Sequence, residues 1–165
     1  MGNPIKSFMS SHISILFVLL VTSGLFLTVL SCASNPPKAE LVDGRLRACP
    51  KSPNCVSSES EVTSSRVEPI SFKGLPEKAW GDLKETIREM GGAIQVEHED
   101  YLWATFTSKV FRFVDDVEFR MVPPEGTIHV RSASRVGYSD FGVNRRRVEK
   151  IRTLFSRKMG QAPGR

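Results

Sequence analysis

The stretch FRFVDDVEFRMVPPEGTIHVRSASRV, residues 111–136, decides the fold of this chain. Two runs in which apolar and polar side chains alternate, 111–122 and 127–136, flank the loop Pro123-Pro124-Glu125-Gly126. Alternation with a period of two is typical of β-strands, and a short loop that contains Pro and Gly predicts a hairpin. The two strands should therefore be antiparallel, and the numbers of paired residues should sum to 249.

Alternation also sorts the side chains of the first strand onto two faces of the sheet. Asp115 falls on an otherwise apolar face, whereas Asp116 and Glu118 fall on the opposite face. In the register set by the loop, Asp115 lies opposite Ser134, and Glu118 lies opposite Arg131. Asp115 is therefore predicted to be a carboxylate at the core, which is costly unless it is paired or protonated.

Helical and strand patterns surround this hairpin. Pro76 opens a helix with one apolar face, and Gly91-Gly92 end it. Asn144 is the expected N-cap of a final helix that Gly160 ends. Further strands are predicted within 64–72, at 93–97 and at 102–108. Together these elements predict an α+β fold: an antiparallel sheet of four to five strands, with two helices packed on one face.

The first 31 residues are typical of a secretory signal peptide. Lys6 supplies positive charge, Ile13–Leu30 is an apolar run, and no acid precedes Glu40. The run ends in Leu30-Ser31-Cys32, which resembles a lipobox. We therefore expect cleavage before Cys32 and a lipid, such as palmitate, on its thiol. An uncleaved anchor helix is the alternative, because the apolar run is long for a signal peptide.

Either form of anchor places the protein on a membrane, with its domain facing the periplasm or another extracytoplasmic side. Ala33 after the cysteine is compatible with transfer to an outer membrane in a cell that has one. Residues 32–47 contain two prolines and scattered charges, and they are predicted to form a lipidated tether. Residues 48–160 should form a single domain, and residues 161–165 a disordered tail. The membrane is the expected partner, and protein partners stay open.

Two cysteines remain in the expected mature domain. Cys49 and Cys55 flank a loop rich in Pro and Asn, and in an oxidising compartment this favours a disulfide that shapes the loop. A redox-active pair is the alternative, although the C-x-x-C spacing is missing. A metal site is disfavoured, because only His98 and His129 remain as histidines and their spacing does not suit zinc.

Basic residues concentrate near the C-terminus. From Arg145 to the end, eight Lys or Arg residues accompany a single acid, Glu149. A basic segment can bind nucleic acid, an anionic membrane or an acidic partner, and export argues against nucleic acid. Two interpretations remain open: a solvated helix face, and a scaffold protein that docks through its basic final helix.

Three of these cations, Arg145 to Arg147, occupy the first turn of the final helix, where the helix dipole favours negative charge. A bound anion can compensate them, because helix N-termini attract phosphate and carboxylate groups. This predicts a pocket for an anionic small molecule or a lipid headgroup. The candidate ligand-binding residues are Asp115, Arg131, Ser134, Arg135, Tyr138, Asn144 and Arg145. The alternative is an internal salt-bridge network that joins the last hairpin to the last helix and binds nothing.

No sequence motif assigns a reaction. The chain has no nucleophile elbow, no Walker motif and no dinucleotide fingerprint, so no catalytic residue, cofactor or metal is predicted. Asp115 and Asp116 are neighbours on a strand and point to opposite faces, so they cannot act as a carboxylate pair. An enzyme that uses Asp115 as a buried acid or base is the least supported interpretation.

Three runs of sequence resemble a known family. They are CPKSPNCVSS at 49–58, FVDDVEF at 113–119 and RSASRVGYSDFGVNR at 131–145. Together they resemble the family called domain of unknown function 1499, over about Leu46 to Phe155. The resemblance implies a single domain that is often found in envelope or membrane-associated proteins. It implies no established reaction, but it adds weight to the residues singled out above.

Overall fold

The computed structural model describes residues 40–160. The predicted signal peptide, Cys32, the first part of the predicted tether and residues 161–165 lie outside the described residues, so the expectations for them stay predictions. The compact unit that contains the described residues is Lys38–Arg165. Within residues 40–160, no helix has both the length and the apolar character needed to cross a bilayer.

One antiparallel sheet and two helices make up the domain. The strands are β1 (Cys55–Ser57), β2 (Ile70–Ser71), β3 (Ala93–Glu97), β4 (Tyr101–Thr107), β5 (Val114–Val122) and β6 (Thr127–Ser134). The helices are α1 (Pro76–Glu89) and α2 (Val143–Lys158). The strand order is β1-β6-β5-β4-β3, and β2 also pairs with β6. The predicted α+β class is confirmed, with six strands where four to five were expected.

The predicted β5–β6 hairpin and its register are confirmed. Asp115 pairs with Ser134, and Glu118 pairs with Arg131. Residues 123–125 form a single 3₁₀ turn, and Gly126 closes it with a φ of +59°. β5 starts at Val114 instead of residue 111, because the backbone at 112 has a φ of +57° and interrupts the extended run.

Two short strands at the start of the domain differ from expectation. β1 was not predicted, and it pairs through Cys55 and Ser57 with Ala133 and Arg131 of β6. The strand expected within 64–72 is reduced to β2, because Thr63–Ser65 forms a 3₁₀ turn instead. Both segments are strands because they pair with the free edge of β6. The local pattern of side chains does not predict this pairing.

Both helices contribute to one apolar core on the inner face of the sheet. The fully buried side chains include Leu83 and Ile87 from α1, and Ile151 and Phe155 from α2. They pack against the alternate residues of the hairpin, such as Phe119. Burial of each large side chain stabilises the fold by about 1.5–3 kcal/mol, so this cluster holds the helices in place.

The outer face of the sheet carries a second, smaller cluster. Leu46 packs there with Tyr101 and Trp103, next to the partly buried side chains of Leu41 and Val96. Leu46 was expected in the tether, but its side chain is buried. The segment that precedes the disulfide loop therefore lies over the outer face and screens it from water.

Candidate functional site

Asp115 is paired within the domain. Its carboxylate accepts a hydrogen bond from the Arg147 guanidinium at 2.5 Å, and each side chain is 11% exposed. Arg147 also lies over the Phe106 ring, 5.0 Å from its centroid. This pair links the inner face of the sheet to the second turn of α2, because the helix begins at Val143. Asp115 thus supplies a counter-ion for one of the three arginines that were expected in the first turn.

Asn144 is buried and connects four groups. Its amide nitrogen donates to the Asn54 carbonyl at 2.9 Å and to the Ser134 hydroxyl at 3.0 Å. Its amide oxygen accepts from Ser132 and from Arg147, both at 2.6 Å. Asn144 therefore joins α2 to β6 and to the disulfide loop.

The prediction that Asn144 caps α2 is wrong. Residues Phe141 and Gly142 have φ values of +52° and +77°, so the helix begins at Val143 and already includes position 144. Asp140 accepts the terminal amides instead, from Gly142 at 2.9 Å and from Asn144 at 2.7 Å. A carboxylate in this position also offsets the positive end of the helix dipole.

Arg131 and Arg135 lie on the outer face of the sheet, across from Asn144. Arg131 donates to Glu118 at 2.6 Å, and Arg135 donates to both oxygens of Asp116 at 2.9 and 3.0 Å. The hydrogen bonds to Asp116 raise the pKa of the Arg135 guanidinium above its ordinary value. The predicted site residues are thus split between two faces, and these two cations are neutralised by internal carboxylates.

Aromatic groups complete this outer-face network. The Trp103 indole N–H donates to Asp116 at 2.8 Å, and the Tyr101 hydroxyl donates to Glu118 at 2.9 Å. Burial, and then the nearby negative charge of Glu118, raise the pKa of Tyr101 well above its ordinary value. Asp116 and Glu118 therefore each have two donor side chains, which offset the cost of burying their charge.

Arg145 differs from the other predicted site cations. Its guanidinium donates to two backbone carbonyls, those of Ser64 and Arg66, both at 2.8 Å. Within residues 40–160, no carboxylate lies within ion-pair distance of it. A carbonyl has no net charge, so the positive charge of Arg145 is left without a counter-ion. Tyr138, the remaining predicted site residue, is exposed in the loop after β6.

Arg145 lines a cleft of about 430 Å³ at the start of α2. The cleft lies between the disulfide loop, the serine-rich segment 60–65 and residues 140–145. Lys51 is a second cation on its wall, and hydroxyl groups come from Ser52, Ser60, Ser64 and Ser65. Asp140 is the only acid among the described residues that line the cleft, and its oxygens already accept the helix amides. We call this the α2 cleft.

The predicted disulfide is confirmed and forms one wall of the α2 cleft. Cys49 and Cys55 are bonded, with 5.6 Å between their Cα atoms. The side chain of Asn54 donates to the Gly137 carbonyl at 2.6 Å and so fixes the loop against the loop after β6. This loop was expected to be structural, and Lys51 was not among the predicted site residues. Lys51 lies between the two cysteines, within the run 49–58 that carries the family resemblance, and this position could have indicated it.

A second cleft, of about 420 Å³, opens beside the segment that covers the outer face. Its wall includes Glu59, which contacts Arg120. His129 lies 3.9 Å from the same carboxylate and is hydrogen-bonded to Ser58. Only 18% of the His129 side chain is exposed, and burial lowers its pKa below the ordinary value for histidine. Cations and carboxylates mix here, so this cleft favours neither sign of charge.

Three of the seven basic residues of α2 are neutralised by carboxylates of the same domain. Arg147 pairs with Asp115, Arg152 with Glu149, and Lys158 lies 2.8 and 3.2 Å from two carboxylates of α1. These pairs weaken the interpretation of α2 as a basic docking helix. Within residues 40–160, no group of three His, Cys, Asp or Glu side chains is placed to hold a metal ion.

Comparison with known proteins identifies the family. A family model described as protein of unknown function (DUF1499) matches residues 45–155. The chain belongs to the DUF1499 family. The match contains all six strands, α1 and most of α2, so the predicted resemblance is confirmed. A search of curated proteins found no match.

The α2 cleft lies entirely within the DUF1499 match. Its walls, residues 49–65 and 140–145, fall in two of the three sequence runs that carried the resemblance and in the segment between β1 and β2. Asp115 lies in the remaining run but lines neither this cleft nor the second one.

Proposed function

We propose that this DUF1499 protein is an exported lipoprotein, anchored through Cys32, whose domain binds a small anionic ligand in the α2 cleft. The observation that carries the proposal is Arg145, a half-buried cation in a cleft whose guanidinium has only backbone carbonyls as partners. An anionic group supplies the counter-ion that residues 40–160 do not provide.

The chemistry of the walls favours an anion over a cation. Lys51 and Arg145 carry positive charge, and serine hydroxyls line the same walls. The hydroxyls of Ser52, Ser60 and Ser65 already bond to groups of the domain, so a ligand must compete for them. The single carboxylate, that of Asp140, is directed to the helix amides and not left as a free acceptor.

The volume limits the size of the ligand. A cleft of about 430 Å³ lies at the small end of the range for ligand sites, which runs from about 300 to 1,000 Å³. A phosphate or carboxylate group with a short polar extension fits this space. Such a group can come from a free metabolite or from a lipid headgroup.

Calorimetric titration of the domain, residues 38–165, tests the cleft with two probes: inorganic phosphate, and glycerol phosphate as the polar part of a headgroup. Arg145→Gln and Lys51→Gln should each weaken binding about tenfold or more, since a charge-assisted hydrogen bond contributes about 1.5–3 kcal/mol. Arg157→Gln is the matched control, because this arginine is exposed at the far end of the same helix. Equal binding by all variants, or no binding of either probe, contradicts the proposal.

Metabolic labelling with palmitate tests the anchor separately. Label should appear on the parent chain and on Cys49→Ser, and it should be lost from Cys32→Ser. An unlabelled parent chain that stays with the membrane fraction would instead support an uncleaved anchor helix.

A further inference from the structure

Large apolar side chains are exposed at one end of the domain. Val110 and Phe111 in the loop between β4 and β5 are 80% and 72% exposed, and Phe111 stacks on Phe113 with 5.7 Å between ring centroids. In the loop after β6, Tyr138 and Phe141 are 76% and 88% exposed. Single exposed apolar residues are ordinary, but several large ones in two loops mark an interaction surface.

Backbone hydrogen bonds place the two loops at the same end of the sheet. The Ser108 N–H donates to the Phe113 carbonyl at 2.8 Å and closes the first loop. The Arg135 N–H donates to the Val114 carbonyl at 3.1 Å, where the second loop leaves β6. We call residues 108–113 and 135–142 together the aromatic end.

The two ends of the sheet differ in the charge of their exposed side chains. In the aromatic end, Lys109 and Arg112 are exposed beside the phenylalanines, and the one acid, Asp140, accepts the amides of α2. The opposite end carries mainly exposed acids instead: Glu99 and Asp100 before β4, and Glu125 between β5 and β6, against one exposed cation, Lys73, after β2. An anionic surface therefore attracts the aromatic end and repels the opposite one.

We propose that the aromatic end docks on the surface of an anionic lipid bilayer. Aromatic rings are enriched at the boundary between headgroups and acyl chains, where they bury apolar area without leaving water entirely. Exposed Lys and Arg residues beside them gain from the negative surface potential of anionic lipids. Rings flanked by cations match such a surface better than they match an acidic protein, which offers no apolar layer for the rings to enter.

Quenching by brominated lipids tests this on the full chain, reconstituted in vesicles of phosphatidylcholine with about 30% phosphatidylglycerol. Phe111→Trp places a reporter in the aromatic end. Leu75→Trp is the matched control, because Leu75 is 70% exposed and follows Phe72, whose N–H bonds to Gly126 at the opposite end. The native Trp80 and Trp103 are buried and give the same background in both variants.

We expect the brominated lipids to quench the reporter at 111 and to leave the reporter at 75 near background. Adding Lys109→Glu and Arg112→Glu should reduce the quenching at 111 to the control level in these vesicles. Equal quenching of both reporters overturns the proposal. A blue-shifted emission at 111 without quenching also overturns it, because a second protein copy then covers the loop.

This proposal does not depend on ligand binding in the α2 cleft. Arg145→Gln should leave the quenching at 111 unchanged, so the failure of one proposal does not imply the failure of the other. Vesicles of phosphatidylcholine alone separate the contribution of the aromatic rings from that of the cations. In these vesicles the rings can still enter the acyl-chain boundary, but Lys109 and Arg112 find no anionic headgroups.

Discussion

Replacement of Asn144 by Ala tests how the last helix is joined to the sheet. The side chain makes four hydrogen bonds in the interior, to Asn54, Ser132, Ser134 and Arg147. A hydrogen bond contributes about 0.5–1.5 kcal/mol net, and a buried group left without its partner costs more. The substitution should therefore lower the free energy of unfolding by about 4 kcal/mol, out of the 5–15 kcal/mol typical of a domain.

Urea denaturation of residues 38–165, followed by circular dichroism, measures this loss. A decrease of about 4 kcal/mol should move the midpoint by about 2 M if the slope is about 2 kcal/mol per molar urea. Asp140→Ala is the control, because loss of a side chain that accepts amides at a helix N-terminus costs only about 1 kcal/mol. If the two substitutions cost the same, about 1 kcal/mol each, Asn144 does not connect α2 to the sheet in the way described.

Three further predictions concern other parts of the domain. Replacement of Cys49 and Cys55 by Ser opens a closed loop with a sequence separation of 6, which should cost about 2 kcal/mol in the same denaturation assay. Burial lowers the pKa of His129 in the folded state, so the stability that depends on its neutral form should be fully present above pH 6.5 and be lost as the pH falls below that value. In thermal unfolding measured over a series of pH values, His129→Gln should reduce this dependence on pH. Gly92→Ala places a Cβ 2.6 Å from the Phe106 ring and should cost about 1–3 kcal/mol by thermal unfolding, whereas Gly81→Ala, with open space around it, should cost none.

The hairpin was predictable because its information is local. The loop at 123–126 fixed the register, and alternation then placed Asp115 on the inner face and Glu118 on the outer face. The amphipathic pattern of α1, ended by glycine, was local in the same sense. Register and face follow from spacing alone when one side of a strand is buried.

The errors arose where distant segments decide the local structure. Asn is a common N-cap residue, but the left-handed residues before Val143 make the helix begin earlier than expected. The Asp140 side chain therefore accepts the N-terminal amides in place of Asn144. β1 is a strand only because β6 is adjacent to it, so three residues of a proline-rich loop could not be recognised as extended. Tertiary contacts override weak local preferences in both cases.

The candidate site was predicted only in part for a related reason. The seven residues were grouped because one end of the last hairpin and the start of the final helix were expected to meet, but Arg131 and Arg135 lie on the opposite face of the sheet from Asn144. The cleft that retains an unneutralised cation lies around Arg145 and depends on the disulfide loop, which no spacing linked to α2. Charge neutralisation is a property of pairs, and pairs of distant residues are not visible in a single sequence.

The position of β6 in the sheet has a consequence for how the protein is made. A ribosome produces the chain from its N-terminus, so Cys55 is synthesised long before Ala133, its partner across β1 and β6. The β5–β6 hairpin closes through a short turn, but β1 and β2 have no partner until it exists. The nascent domain therefore stays open until its last third has been translated. Any pause or truncation before Ser134 leaves the early strands available to chaperones or to aggregation.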